Sequence, residues 1–150
     1  MESALGIQYN KNGYTISDRG IVRYADDLVV FCKSQEDAKS AVDELSKWMK
    51  TRGLALSNSK TKIVHLTEGF NFLGFNIRWY RDKNTKSGKK VLIKPNKESL
   101  QDIRNNIKKV WLENKSHNVN YLISKLNPII RGVANYYRTV VSSQTFGKLD

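Results

Sequence analysis

With 150 residues, 39% of them hydrophobic and 27% charged, the chain suits one domain or two small ones and is too apolar to be disordered. Its 26 Lys and Arg outnumber 14 Asp and Glu, a formal net charge of +12; such an excess points to a polyanionic partner, because each neutralised phosphate releases condensed counterions. No apolar run approaches the roughly 20 residues of a membrane span, and the charge is spread along the chain rather than gathered on one amphipathic helix, which argues against a membrane-surface role. A single cysteine, Cys32, rules out a disulfide frame and a zinc cluster, and "MESALGIQYN" lacks the basic-then-apolar pattern of a secretory signal, so a reducing, intracellular setting is expected.

In chain order, Gly13 to Ser34 reads as strand material. Ile21 to Tyr24 and Leu28 to Phe31 are β-branched and aromatic runs on either side of a tight turn that carries Asp26 and Asp27. From Ser34 the period changes: Ala38, Ala41, Val42, Leu45, Trp48 and Met49 recur at three and four, predicting an amphipathic helix near Gln35 to Arg52. Ser34 suits its N-cap, with Asp37 three residues on, and Gly53 its end. Lys60 to Leu66 and Phe70 to Tyr80 then read as two strands. The polar stretch "RDKNTKSGKK" predicts a hairpin loop returning through Val91 to Pro95.

Between Arg78 and Lys94 stand seven basic residues and one aspartate, a local net of +6, half of the excess of the whole chain. Trp79 and Tyr80 beside them offer rings for stacking, so nucleic-acid contact is expected there; a solvated turn is the plain alternative. Beyond Pro95 the pattern is helical. Leu100, Ile103, Ile107, Val110 and Trp111 form one stripe, with Arg104, Lys108 and Lys109 off it. "KSHN" breaks that helix, Tyr121 to Leu126 predicts a short one, and Pro128 suits the first turn of a third over roughly Ile129 to Val141. His65 and His117 read plainly as a strand and a loop residue.

Two adjacent carboxylates at a turn repel each other, and a hard divalent cation removes that cost. Two-metal sites use such oxygens to clamp the attacking and leaving oxygens of phosphoryl transfer. Asp-Asp alone is a weak signal; after an aromatic and a small residue, and between apolar strands, it is far more specific. "VRYADDLVVFCKS" (Val22 to Ser34) resembles the catalytic hairpin of reverse transcriptases, in particular the reverse transcriptase/maturase proteins encoded by group II introns. "GLALSNSKTKIVH" (Gly53 to His65) is similar to the segment after the palm helix, "FNFLGFNIRW" (Phe70 to Trp79) to the primer-grip hairpin, and "LNPIIRGVANYYR" (Leu126 to Arg138) to the signature of the maturase-specific, or thumb, helices. Four motifs in the right order cover nearly the whole chain.

The resemblance implies an α+β fold. Residues 1–95 would form a partial polymerase palm, an antiparallel sheet with one packed helix and the primer-grip-like hairpin; residues 96–150 would form a thumb or maturase-specific domain of about three helices. It implies that Asp26 and Asp27 help hold two Mg²⁺ ions and that Tyr24 and Ala25 lie beside the primer terminus and nucleotide. Lys60 or Lys62 would face the leaving pyrophosphate, and Phe72, Leu73 and Gly74 would support the primer end. Intron RNA or an RNA–DNA duplex is the expected partner, met by Arg78, Arg81, Lys83, Lys86, Lys89, Lys90 and Lys94 on the hairpin, Arg104, Lys108 and Lys109 on the next helix, and Arg131 and Arg138 on the last. The setting would be nucleic-acid-associated, in a bacterial cytoplasm or an organelle, away from membranes.

One departure matters. The family's polymerases need a third carboxylate from an earlier palm strand, and fingers; before Asp26 stand only Glu2 and Asp18, in no similar context. The expectation is therefore half a metal site: an RNA-directed DNA polymerase by descent, inactive unless another chain supplies the missing palm and fingers. A non-catalytic RNA-binding maturase module and a decayed gene remnant are the alternatives. An uncovered sheet edge and apolar surface are also expected, with Phe70 to Ile77 as the candidate face.

Overall fold

The computed structural model describes residues 1–142 and Gly147. In chain order they form a 3₁₀ turn (Ser3–Leu5), β1 (Gly20–Tyr24), β2 (Asp27–Phe31), α1 (Gln35–Lys50), β3 (Phe70–Phe72), β4 (Phe75–Arg81), β5 (Lys89–Pro95), α2 (Lys97–Asn114) and α3 (Val119–Tyr137). The fold is α+β, with a two-stranded sheet β1-β2 and a three-stranded sheet β3-β4-β5, both antiparallel. The chain divides into two compact units, Met1–Ile63 and Val64–Asp150.

In the first unit β1 and β2 pair in register from Gly20↔Phe31 to Tyr24↔Asp27. Side chains alternate across a strand, so Ile21, Leu28 and Val30 share the inner face. With Cys32, Met1 and Leu56 they pack against the buried cluster Leu5, Ile7, Ala41 and Leu45. Val22, Tyr24, Val29 and Phe31 occupy the other face, where Val22 is 49% and Tyr24 64% exposed. The apolar runs that identify the strands thus supply two apolar faces, of which one is covered.

The predicted helix is α1, and its ends follow the expected chemistry. Ser34 Oγ accepts from the Asp37 N–H at 3.1 Å. At the other end the Leu54 N–H donates to Met49 O (3.0 Å) and the Gly53 N–H to Lys50 O (3.2 Å), with Gly53 at φ +69°; this is the Schellman closure, which requires a left-handed residue. Arg19, ahead of β1, reaches the helix from outside it: Nε donates to Asp37 Oδ1 (2.8 Å) and Nη1 to Glu44 Oε2 (2.6 Å). Both carboxylates are held below their usual range, first by the Arg19 hydrogen bonds, while burial pushes the Cys32 thiol up.

Three expectations need correction. Lys60 to Leu66 is not a strand but an irregular segment, exposed from Lys60 to His65. Its β-branched Ile63 and Val64 are strand-like, yet a strand needs a neighbour along its length for its N–H and C=O groups, and what is found here is one bond at its end, from the Trp79 N–H to Leu66 O at 2.8 Å. His65 accordingly lies in this loop, its ring edge-on to Trp79. Phe70 to Tyr80 is not one strand but a hairpin, β3 and β4, joined by Leu73 and Gly74 with φ 48° and 78°; two positive φ values in a two-residue loop are those of a type I′ turn. Finally, α2 is followed by a single helix. α3 runs through Pro128, because Leu122, Leu126, Ile129, Val133 and Tyr137 keep one continuous face whose packing outweighs the hydrogen bond that proline cannot donate. The helical segment after Pro95 therefore has two helices rather than about three among the described residues.

In the second unit β4 pairs with β5 from Phe75↔Pro95 to Arg81↔Lys89. Phe75 stacks on Tyr136 of α3 (ring centroids 5.0 Å apart) and meets Tyr137 edge-on (5.3 Å). The Phe70 to Ile77 face is thus half-covered. The more open apolar surface lies instead on the outer face of β1-β2 and on the helices, where Trp111 and Ile130 are each 49% exposed.

Candidate metal and nucleic-acid sites

The hairpin β1-β2 turns on Ala25 and Asp26. Ala25 has φ 52°, and it alone of the two loop residues is positive. That is the type II′ pattern, whose twist matches the flanking strands. Asp27 opposes Tyr24 at the last rung, on the face turned away from the core. Both aspartates are exposed, and among the described residues neither side chain has a hydrogen-bond or ion-pair partner. Their oxygens are hard donors of the kind Mg²⁺ takes. No group of three acidic, His or Cys side chains able to hold a metal occurs among the described residues, so the pair does not fit a two-ion centre by itself. Lys60 and Lys62 are exposed on the irregular segment after α1, and no ion pair joins them to the aspartates among the described residues.

The turn Leu73-Gly74 is clasped by the helices of its own unit. Leu73 O accepts from Tyr136 Oη (2.7 Å), and Gly74 O from Tyr137 Oη (3.2 Å) and the Asn96 N–H (2.9 Å). A Cβ at Gly74 would lie 3.1 Å from Tyr137 Oη and 3.3 Å from Ser99 Oγ, so glycine answers both the backbone angle and the close approach. Tyr136 and Tyr137 were not legible as anchors of this turn; adjacent tyrosines on an otherwise apolar helix face were the available signal.

On β4 and β5 the register sorts the basic residues by face. Arg78, Tyr80, Lys90, Leu92 and Lys94 share one face, while Ile77, Trp79, Val91 and Ile93 share the other with Arg81 and Lys89. Lys94 Nζ stands 4.4 Å and Arg78 Cζ 5.8 Å from the Tyr80 ring centroid, and Lys89 Nζ 5.0 Å from that of Trp79. Lys83 and Lys86 are exposed at the loop between the strands. None of these seven cations has an acidic partner among the described residues; the ion pairs found are those of Arg19, Lys33 and Lys109. On α2, Arg104 and Lys108 are exposed and Lys109 reaches Glu113 at 3.9 Å. Arg131 and Arg138 are exposed along and just beyond α3.

A carboxylate pair on a two-residue hairpin, followed by a helix and a second clasped hairpin, can be compared with known families. Residues 1–77 match the model of the reverse transcriptase (RNA-dependent DNA polymerase) family, which is half of the chain. The chain belongs to the reverse transcriptase family. Residues 100–150, in turn, match the group II intron maturase-specific domain. Among its relatives, the chain is 32% identical over 144 residues to the Group II intron-encoded protein LtrA of Lactococcus lactis subsp. cremoris, an alignment covering 77% of this chain and 23% of that protein. It is 26% identical over 117 residues to Maturase-like protein 1 of Euglena gracilis, covering 78% of this chain and 24% of that one. The chain thus spans about a quarter of the length of these curated relatives. Reverse transcriptases use divalent metal ions, which suits the chemistry of the Asp26-Asp27 turn. No helix among the described residues is long and apolar enough to cross a membrane.

Proposed function

We propose that this chain is a reverse transcriptase/maturase segment that binds intron RNA, and that Asp26 and Asp27 are metal-ligand positions of a polymerase centre the chain does not complete alone. In this reading residues 1–95 act as partial palm and residues 96–150 as maturase-specific or thumb domain. Tyr24 and Ala25 border the primer terminus, Phe72, Leu73 and Gly74 support it, and Lys60 or Lys62 faces the leaving pyrophosphate. Mg²⁺ held by the two aspartates would supply charge stabilisation at phosphoryl oxygens. Two ligands on one side cannot bracket an ion pair, so no polymerisation step is assigned to this chain alone. Its partners are intron RNA, an RNA–DNA duplex and a chain carrying the remaining palm and fingers, in a bacterial cytoplasm or an organelle.

The observation that carries the RNA reading is the hairpin with seven cations and no acidic partner among the described residues. Such charge is offset by phosphate, and the affinity should fall steeply with salt. Titration against intron RNA at two salt concentrations tests it: absent or salt-independent binding sinks the proposal. Replacing Lys86, Lys89 and Lys90 together by alanine should weaken binding without unfolding the chain, since all three are exposed. The lack of a third grouped carboxylate among the described residues favours a second reading, a non-catalytic RNA-binding maturase module; the two part on whether an added palm-and-fingers chain restores primer extension.

A further inference from the structure

We infer that the β4-β5 face bearing Arg78, Tyr80, Lys90 and Lys94 is the contact surface for the phosphate backbone of an RNA strand, on which the Tyr80 ring positions the cations. This rests on the RNA reading above and deepens it, because that reading does not say which side of the hairpin meets the strand.

The register places Tyr80 directly opposite Lys90 and Arg78 opposite Leu92, so facing Cβ atoms lie about 5 Å apart. Lys94 and Arg78 both stand within the roughly 6 Å at which a cation feels a ring's negative face, at 4.4 and 5.8 Å. Arg78 is turned there by its neighbours. Its Nε donates to Thr67 O at 2.7 Å, and its stem lies against Gly69, where an added Cβ would come within 2.9 Å of Arg78 Cβ. Two cations, Lys94 and Arg78, thus converge on one ring, with Lys90 on the rung opposite it, and none of the three has a carboxylate within ion-pair reach among the described residues. The ring and the Thr67 carbonyl lessen their mutual repulsion without neutralising it.

A phosphodiester neutralises it. Lys90 and Lys94 stand four residues apart on one face of β5, so their Cα atoms are spaced by about 13 Å, wide enough for the two to meet different phosphates, as a strand requires and a single small anion does not. The opposite face offers a different chemistry: Ile77, Trp79, Val91 and Ile93 make it chiefly apolar, with cations only at its Arg81-Lys89 end. The charge is therefore concentrated along the length of one face and confined to the end of the other.

The test is fluorescence anisotropy of a labelled RNA stem–loop over a salt series, with a melting curve for each variant. Lys90→Ala and Lys94→Ala should each weaken binding roughly threefold to tenfold and reduce the salt slope by about one. Tyr80→Phe, which keeps the ring, should bind like the parent, whereas Tyr80→Ala should lose affinity; should Tyr80→Ala fail to fold, the lysine variants and Tyr80→Phe still decide. The inference is overturned if the Lys90→Ala/Lys94→Ala double variant keeps the parent's affinity and slope while Lys83→Ala/Lys86→Ala loses them, an outcome that leaves RNA binding standing but moves it to the hairpin tip. Competition by poly-glutamate as strong as by unlabelled RNA at equal charge also overturns it. A parent chain that binds no RNA overturns this inference and the RNA reading together.

Discussion

At Ala25 a side chain sits in a left-handed backbone, φ 52°, a conformation that costs an L-residue about 1–2 kcal/mol. Relief of that strain by glycine is partly offset by the extra freedom glycine has when unfolded. Ala25→Gly should therefore raise stability by at most about 1 kcal/mol, while the β-branched Ala25→Val should lower it by about 2 kcal/mol; urea denaturation separates the two. Arg19 shows a different residue-scale effect. Asp37 and Glu44 are depressed by its hydrogen bonds, so they hold fewer protons folded than unfolded in the acid range. Their contribution is complete above the ordinary carboxylate values of about 4 and is lost as pH falls below them through the folded values. Arg19→Met should cost about 1 kcal/mol at neutral pH, given the partial exposure of the pairs, and should flatten the loss of stability below about pH 4; unfolding midpoints at neutral and acid pH show both. Nothing in the sequence marks Arg19, because its partners stand 18 and 25 residues away. The place of Asp26 and Asp27 at a hairpin turn, by contrast, is legible, since the apolar runs on either side of them mark it.

Among the elements, β1, β2 and α1 are legible because each is specified by its own periodicity, cap and turn. The second hairpin is legible only through its resemblance to the primer grip. The alternation of Phe70 to Tyr80 changes phase at Leu73-Gly74, from apolar at Phe70 and Phe72 to apolar at Phe75, Ile77 and Trp79, but Leu-Gly is a weaker turn signal than Asn-Gly, so the turn is placed only by its φ values and by the tyrosines that hold it. Pro128 misleads in the opposite sense: a local breaker is overruled by a helix face that continues on both sides of it. The Leu73-Gly74 turn supplies the prediction at this scale. Gly74→Ala meets an adverse φ of +78° and contacts of 3.1 and 3.3 Å, and should destabilise the chain by about 2 kcal/mol or more. Tyr137→Phe, which removes one of two donors to Gly74 O, should cost about 1 kcal/mol. Thermal melts of the two variants give the order.

For the whole molecule, the two functions implied by the family stand on unequal footing. Nucleic-acid binding needs only charge, and the density of Lys and Arg between residues 78 and 94 is legible in the sequence; its division between two faces is not, because that depends on the β4-β5 register. Polymerisation needs several groups placed together, and losses from missing groups multiply. The purified chain should show no primer extension with Mg²⁺, matching its Asp26→Ala variant. Extension that depends on Asp26 without any partner would overturn the reading that the chain does not complete the metal centre alone, and would point to copies of the chain completing one another.

The clasp on the Leu73-Gly74 turn has a mechanical consequence. Consecutive carbonyls take hydroxyls from consecutive tyrosines 63 residues away. A slide of α3 along its axis by an ångström or so would lengthen both bonds together beyond reach, and one turn away, about 5.4 Å, Gly132 and Val133 carry no hydroxyl to replace them. The helix and the turn are thus coupled as a latch with a single seat: a load on α3 large enough to move it releases both carbonyls of the turn in one step.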